Sequence, residues 1–310
     1  MEYTMKKLLL IINPNAGLKL GRRFLPEMIS LLTRAGSLVS VCVTERRGDA
    51  VEFARSLGGD FDTVAACGGD GTLNEVISGL LTGGHAPLLG YIPCGSTNDF
   101  ATGLSIPTDP VLACRAIAEG VPRKLDVGCF GTGRYFSYTA SFGAFTAVSY
   151  STPQNVKNVL GHAAYILGGI RSLADIHPIH MKVTADDQTF ENDYIFGAVC
   201  NSTSLGGVLR LADSQVHMND GLFESLLIPF PSDLFVLNQI LAALRTRDYD
   251  NPLLSFVRAS RFVFETPTEL SWTLDGEEAP GKPITVIRNL HSAVTLLTAE
   301  DKPAATPGEA

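Results

Sequence analysis

Residues 64–76 read Val-Ala-Ala-Cys-Gly-Gly-Asp-Gly-Thr-Leu-Asn-Glu-Val, an apolar run that ends at a glycine-rich turn with one acid. The run is typical of a buried strand, and the apolar spacing from Leu73 to Leu81 predicts a helix directly after it. Glycines let a backbone approach a ligand closely, and a helix N-terminus offers unpaired N–H groups to an anion. Because an acid among such amides needs a cation to join it to phosphates, the stretch indicates magnesium-nucleotide binding. A plain strand-to-helix turn is the alternative.

A second strand ends in a similar turn. Residues 88–92 are apolar and lead into Gly-Ser-Thr-Asn-Asp at 95–99. Successive parallel strands bring their carboxyl ends to one edge of a sheet, where ligands bind. Asp99 is therefore expected to lie beside Asp70. Ser96, Thr97 and Asn98 could donate to phosphate or could cap a helix, which is the commoner use of such residues.

A third acidic turn lies near the end of the chain, where residues 272–278 read Trp-Thr-Leu-Asp-Gly-Glu-Glu. Asp-Gly is frequent in hairpin turns, and acids in such turns are often only solvated. On its own this turn therefore indicates a hairpin and nothing more.

Together the three turns resemble the diacylglycerol kinase family, which includes soluble bacterial lipid kinases and is related to sphingosine and ceramide kinases. The likeness runs from about residue 6 to 298. Its motifs are Asn13–Gly17, Gly68–Glu75, Gly95–Phe100, residues 160–169, Asn219–Leu222 and Asp275–Glu277. Since NAD kinases and phosphofructokinases share the Gly-Gly-Asp-Gly turn, an NAD kinase or another small-molecule kinase stays open. A non-catalytic nucleotide or lipid sensor is the alternative from another class.

The resemblance implies ATP-dependent transfer of a phosphoryl group to a lipid hydroxyl, with diacylglycerol giving phosphatidate. It implies Asp70 and Asp99 as the residues that organise a catalytic Mg²⁺, and Glu277 as the base that activates the acceptor. In the rival assignment Asp70 is the base and Glu277 an electrostatic partner. The residues implied to contact ATP are Asn13, Gly17, Thr44, Gly69, Gly71, Thr72, Asn74, Glu75 and Ser96.

The resemblance also implies a structural Mg²⁺ at residues 219–222. Asp220 would supply a carboxylate, and His217 and Leu222 would supply backbone carbonyls. A β-turn that joins two strands explains the same residues. The chain departs from the family pattern nearby, with Leu-Ala-Asp-Ser at 211–214, and again at Thr102, where an arginine is usual.

Bulk properties favour a packed enzyme. The chain has 310 residues, of which 45% are hydrophobic and 18% charged, so a core of two domains is easily supplied. The formal charge of −8 argues against nucleic acid as a partner. No apolar run approaches the roughly 18 residues that a spanning helix needs. Six cysteines without a Cys-x-x-Cys pair indicate free thiols in a reducing cytoplasm.

The partners expected are therefore a lipid substrate and, transiently, a membrane surface, so that the protein would be cytoplasmic or peripheral at the inner membrane face. A homodimer stays open.

The order of predicted elements gives two domains and a tail. Residues 1–124 alternate strands and helices and predict a parallel α/β nucleotide-binding domain, like that of NAD kinases and phosphofructokinases. Residues 125–298 are mostly short strands and predict an antiparallel β-sandwich or split barrel that holds the lipid, with helices at about 153–173 and 233–245. Residues 299–310 read as a disordered tail.

In the first domain the predicted strands are 7–12, 38–44, 63–66 and 88–92, and the predicted helices are 21–35, 49–57, 72–81 and 110–119. In the second the predicted strands are 125–130, 135–141, 179–184, 194–201, 222–228, 262–265, 270–274, 284–287 and 293–297.

Overall fold

The computed structural model describes residues 5–96, 98–143, 177–201, 204–205, 209–210 and 217–299. The predicted helix at 153–173 and residues 300–310 of the predicted tail lie outside these ranges. The chain divides into two compact units. One comprises Met1–Lys124 together with Val294–Ala310, and the other comprises Leu125–Ala293.

The first unit is built on a parallel sheet with the strand order β2-β1-β3-β4. Thr295 and Leu296, near the end of the last strand, pair in parallel with Leu88 and Leu89 at the β4 edge. Its strands are β1 (Lys6–Ile12), β2 (Ser37–Val43), β3 (Thr63–Gly68) and β4 (Leu88–Pro93). Every residue of β3 is buried, as expected for a strand covered on both faces. The predicted α/β class of this half of the chain is therefore confirmed.

The described residues of this unit also form five α-helices. They are α1 (Leu20–Arg34), α2 (Asp49–Leu57), α3 (Asp70–Gly83), α4 (Asp99–Gly103) and α5 (Pro110–Glu119). The predicted α3 began two residues too late, because Asp70 itself is already helical and Gly69 is the cap. The five-residue α4 was not predicted, since so short a segment shows no periodicity. At α5 the Asp109 side chain caps the helix and accepts from the N–H groups of Val111 and Leu112.

The second unit is a mostly antiparallel β structure, as predicted. Its main strand order is β16-β15-β7-β9-β8-β14-β17, and β12 joins β9 to β13. The strands are β5 (Val121–Phe130), β6 (Arg134–Phe136), β7 (Thr139–Gly143), β8 (Ile179–Ala185), β9 (Gln188–Cys200), β10 (Ser204–Leu205), β11 (Leu209–Arg210), β12 (Phe223–Pro229), β13 (Ser255–Ala259), β14 (Arg261–Glu265), β15 (Ser271–Leu274), β16 (Glu277–Pro280) and β17 (Ile284–Thr298). One described helix, α6 (Leu234–Thr246), is capped by the Asp233 side chain.

The core of the second unit centres on Trp272, which is 1% exposed. Its ring lies edge-on to Phe142 and Phe264, with centroids 4.8 and 4.9 Å away, and to Phe130 at 5.4 Å. Aromatic rings prefer this edge-to-face arrangement. The cluster fixes β15, the strand that leads into the third acidic turn.

Candidate functional site

The two glycine-rich turns of the first unit contact each other through their backbones. A Cβ atom on Gly95 would lie 2.6 Å from the Cα of Gly69, and one on Gly69 would lie 3.3 Å from the Cα of Gly95. The Cys94 N–H also donates to the Gly68 carbonyl at 2.7 Å. Glycine is therefore required at both turns for their close approach.

The Asp70 side chain binds the second turn directly. The Asp99 N–H donates to Asp70 Oδ2 at 2.9 Å, and the Phe100 N–H donates to Asp70 Oδ1 at 3.3 Å. These are the first two amides of α4, which have no acceptor within their own helix. Asp70 thus caps α4 from the neighbouring strand end, and this places Asp99 next to Asp70.

Burial and charge act together on the Asp70 carboxyl group. Burial raises its pKa above the ordinary value, and the nearby Asp99 carboxylate raises it further. The amides of Asp99 and Phe100 and the Tyr91 hydroxyl, which donates to Oδ1 at 3.3 Å, oppose this rise in the pKa. A cation between the two acids would relieve their repulsion.

The first loop is bonded to the first turn and packs on the second. The Asn13 N–H donates to the Cys67 carbonyl at 2.9 Å, and Asn13 Nδ2 donates to Thr72 Oγ1 at 3.4 Å. Gly17 has a φ of +48°, and a Cβ there would meet the Cys94 carbonyl at 2.5 Å. The structure therefore brings Asn13, Gly17 and Thr72 to the edge that carries Gly69 and Asp70.

The other residues implied for the nucleotide have different surroundings. Glu75 Oε1 accepts the Gly48 N–H at 3.0 Å, so this carboxylate holds the N-terminus of α2. The Thr44 N–H donates to the Ile12 carbonyl at the end of β1. Asn74 accepts from Ser78 at 3.4 Å, whereas Gly71 and Ser96 are exposed. Thr102, at the position where an arginine is usual, donates to the Asn98 carbonyl.

In the second unit, Asp275 and Gly276 form the turn between β15 and β16. Both have positive φ, +48° and +86°, as a two-residue hairpin turn of type I′ requires. The buried Asp275 carboxylate accepts three backbone N–H groups, from Ser137 at 2.6 Å, Tyr138 at 3.0 Å and Thr139 at 2.9 Å. Asp275 therefore fixes the turn that immediately precedes the partly exposed Glu277.

Asp126 is a buried residue that the sequence analysis missed. Its Oδ1 accepts the Ser292 N–H at 2.6 Å and lies 3.1 Å from His291 Nδ1. Its Oδ2 accepts the Gly221 N–H at 2.7 Å and Asn289 Nδ2 at 3.2 Å. The sequence does contain one sign of its role, because Asp126 is the single acid in the otherwise apolar strand 125–130. A buried charge requires hydrogen-bond partners of this kind. Asp126 holds the 219–222 turn to β17.

The same turn is where the resemblance implies a structural Mg²⁺. Asp220 Oδ1 accepts the Leu222 N–H at 3.0 Å, and Oδ2 lies 2.5 Å from Arg258 Nη2. The Leu222 carbonyl accepts Asn289 Nδ2 at 3.2 Å, and the His217 carbonyl accepts the Asp220 N–H at 3.4 Å. Each ligand atom implied for the metal therefore already has a hydrogen-bond donor, and the arrangement does not fit a divalent ion.

Beside this turn lies a second acid, Glu224, which is 1% exposed. Burial raises its pKa to about 7, although Arg258, whose Nε lies 3.0 Å from Glu224 Oε1, opposes the rise. Arg258 was not singled out from the sequence, because nothing near it in the chain indicates its two acidic partners.

The Asp70–Asp99 pair fits a magnesium ion better. Both residues offer carboxylate oxygens, which Mg²⁺ prefers, and bound phosphates and water would complete its shell. Across the described residues, no group of three or more histidine, cysteine, aspartate or glutamate side chains could hold a metal by itself. A metal at this pair would therefore depend on the nucleotide.

None of the helices in the described ranges is long and apolar enough to cross a membrane. All six cysteines are free thiols, as predicted.

Comparison with known proteins agrees with these features. Residues 7–130 match the diacylglycerol kinase catalytic domain, and residues 139–298 match the YegS C-terminal NAD kinase β-sandwich-like domain. A diacylglycerol kinase of Bacillus subtilis (strain 168) is 31% identical over 301 residues, which cover 96% of this chain and 99% of the relative. One from Staphylococcus saprophyticus is 33% identical over 298 residues, 96% of each chain.

Solved structures show the same fold. The crystal structure of a diacylglycerol kinase from Bacillus anthracis superposes with a TM-score of 0.74 at 22% identity and covers 98% of this chain and 99% of that one. A second Bacillus anthracis structure gives a TM-score of 0.79 at 26% identity and covers 97% of both chains.

Proposed function

Because the chain belongs to the diacylglycerol kinase family and is a lipid kinase, we propose that it transfers the γ-phosphoryl group of ATP to the free hydroxyl of diacylglycerol, which yields phosphatidate. The observation that carries the proposal is the bond from the Asp99 N–H to Asp70 Oδ2, 2.9 Å long. The bond holds together two aspartates that follow the ends of the neighbouring parallel strands β3 and β4, and nucleotides bind at this edge in α/β sheets.

Asp70 and Asp99 are assigned to hold the magnesium ion that accompanies ATP. When bound, this ion neutralises charge on the phosphates and orients them for in-line transfer. The residues themselves supply fixed negative charge, and Asp70 is held in place by the two α4 amides and the Tyr91 hydroxyl. Phosphoryl transfer requires mainly positioning of this kind from a protein.

The backbones of the first loop and of the two glycine-rich turns are assigned to bind the phosphates and the ribose of ATP. Gly69 and Gly71 offer amides at the start of α3, and Asn13, Gly17 and Thr72 belong to the same packed group of loops. Ser96 is exposed and free to donate its hydroxyl. Thr44, Asn74 and Glu75 are assigned to the same nucleotide site, and Glu75 also binds the N-terminus of α2.

Glu277 is assigned as the base that accepts the proton of the lipid hydroxyl. A carboxylate in this role must be held within hydrogen-bond reach of the acceptor. The three backbone bonds of Asp275 make the turn before Glu277 rigid, which supports this assignment. In the rival assignment Asp70 removes the proton, and its raised pKa is compatible with that role.

Since diacylglycerol resides in bilayers, the protein is expected to meet its acceptor at a membrane surface through transient contact. We assign binding of the lipid to the second unit, whose core consists of aromatic and aliphatic side chains.

The test is a phosphorylation assay with γ-labelled ATP and Mg²⁺ on the full chain. Parallel reactions contain diacylglycerol in mixed micelles, sphingosine or ceramide in the same micelles, and NAD in solution. The expected product is labelled phosphatidate, formed about 10³-fold or more slowly by the Asp70→Ala variant. Labelled NADP instead would establish an NAD kinase. Saturable ATP binding without transfer to any acceptor would establish a nucleotide sensor and overturn the proposal.

A further inference from the structure

One arginine bridges two acids at the 219–222 turn of the second unit. Arg258 Nη2 lies 2.5 Å from Asp220 Oδ2, and Arg258 Nε lies 3.0 Å from Glu224 Oε1. The guanidinium group thus contacts both carboxylates through different nitrogens. Its planar set of donors suits carboxylates well, and it remains charged at any pH the protein meets.

Strand pairing places this arginine. In the antiparallel pair of β12 and β13, Arg258 is the direct partner of Glu224. The flanking pairs in the same register include Leu226 with Phe256, and Leu226 is fully buried. A shift of register would move buried side chains to the other face of the sheet. The backbone of Arg258 is therefore fixed in the β structure, and its partly exposed side chain is held by the two carboxylates.

The buried acid needs this positive charge. Glu224 is 1% exposed, and Asp220 is four residues away in the chain and contacts the same guanidinium. A buried carboxylate without a counter-charge is strongly unfavourable. A divalent ion at Asp220 would displace the arginine from Oδ2 and compete with the Leu222 N–H at Oδ1. It would also compete with Asn289 at the Leu222 carbonyl.

We propose that Arg258 supplies the positive charge of the 219–222 turn, so that this turn binds no divalent cation and the protein folds without a metal there. The related prediction is that loss of the arginine opens the turn to a metal. Asp220 and Glu224 would then be two adjacent carboxylates without a cation, which is the set of ligands that Mg²⁺ and Mn²⁺ take.

The experiment uses nucleotide-free, EDTA-treated full chain. Bound Mn²⁺ is counted by electron paramagnetic resonance, and the melting temperature is recorded with and without Mg²⁺. The variants are Asp220→Asn, Arg258→Gln and, as a matched control, Arg261→Gln, which changes an exposed arginine on β14, the next strand in the chain. The test needs no lipid and no ATP, so its outcome is separate from that of the phosphorylation assay.

We expect the wild type and Asp220→Asn to bind the same number of Mn²⁺ ions. Mg²⁺ should shift the wild-type melting temperature by no more than about 1 °C. Arg258→Gln should melt roughly 5–10 °C lower without metal, regain part of that loss with Mg²⁺ and bind one additional Mn²⁺. Arg261→Gln should resemble the wild type.

One additional Mn²⁺ in the wild type that is lost in Asp220→Asn would overturn the proposal. That comparison decides the matter even where Arg258→Gln does not fold. Failure of a folded Arg258→Gln to gain a metal would overturn the related prediction that the arginine keeps the turn closed to cations.

Discussion

Asp70 in the first unit binds backbone partners that are much nearer in sequence than the partners of Asp275 and Asp126 in the second unit. Asp70 accepts the amides of Asp99 and Phe100, 29 and 30 residues ahead. Asp275 accepts the amide of Ser137, which is 138 residues away, and Asp126 accepts that of Ser292, at a separation of 166. The carboxylate has the same role in both units, because it accepts hydrogen bonds from backbone N–H groups that would otherwise be unpaired.

The difference lies in what each acid holds in place. In the first unit the acid joins two loops at the end of a parallel sheet, which is where we propose that ATP binds. In the second unit the acids hold strands and turns together. The comparison implies that loss of Asp70 should affect catalysis far more than folding, and that loss of Asp275 should affect folding directly.

The largest effect is expected for Asp70→Ala. Turnover should fall by about 10³-fold or more, because the ion that accompanies ATP loses a carboxylate. The uncapped α4 amides should cost about 1–2 kcal/mol of unfolding free energy, so the variant should remain folded. Steady-state kinetics and thermal unfolding measure both quantities, with Asp60→Ala, an exposed acid of the same unit, as control. Turnover like that of the wild type would remove Asp70 from the catalytic assignment.

A large effect on turnover is also expected for Glu277→Gln. Loss of a general base should lower kcat roughly 10²–10⁴-fold, while the dissociation constant of ATP stays unchanged. Titration calorimetry with ATP and phosphorylation kinetics separate the two quantities. Glu278→Gln, at the exposed next position, is the control. A weaker affinity for ATP would move Glu277 to the nucleotide site, and an unchanged kcat would favour Asp70 as the base.

Asp275→Asn tests the structural role of the second unit's acids. The side-chain NH₂ group of the new asparagine would face the Ser137 N–H, so that two donors would meet. We therefore expect a loss of about 2–3 kcal/mol in unfolding free energy. Denaturant titration measures this loss.

The chain offers a close control in Asp186, which also has positive φ and accepts the backbone N–H groups of Ser260 and Arg261, but is exposed. Because water can replace the lost bonds at an exposed site, Asp186→Asn should cost less than about 1 kcal/mol. Equal losses at the two sites would show that burial does not set the strength of these acid-to-amide contacts.

The smallest effect is expected for Tyr91→Phe. The substitution removes a long hydrogen bond of 3.3 Å to Asp70 and keeps the ring that lies edge-on to Phe100. The α4 amides still hold the carboxylate, so turnover should fall by no more than about threefold. Kinetics at saturating ATP test this expectation. A loss comparable to that of Asp70→Ala would show that the tyrosine hydroxyl, and not the amides, organises the acid.

The contrast between the two units also explains what could be predicted from the sequence. The parallel sheet and its two glycine-rich turns were predictable, because strand, turn and helix follow one another directly in the chain, as in β3 (Thr63–Gly68) and α3 (Asp70–Gly83). The pairing of Asp70 with Asp99 followed from the rule that parallel strands end at the same edge. The start of α3 was missed by two residues because glycines obscure a helix boundary.

The second unit was predictable in class but less so in detail. We expected separate strands at 284–287 and 293–297, but β17 continues through both. The intervening polar residues read as a loop, yet Asn289 and Ser292 donate to the buried Asp126. Likewise β13 and the contacts of Arg258 depend on a strand that lies 34 residues away from it in sequence. Local patterns do not contain such information.

The length of β17 limits which fragments of the protein can be expressed as folded units. Its first residues pair with β14, and Thr295 and Leu296 pair with β4. An expression fragment that ends at Lys124 would lack that last partner and would leave the backbone groups of β4 open to other chains. We expect such a fragment to aggregate, and we expect that attaching residues 294–298 to it through a flexible linker would restore a soluble, ATP-binding module.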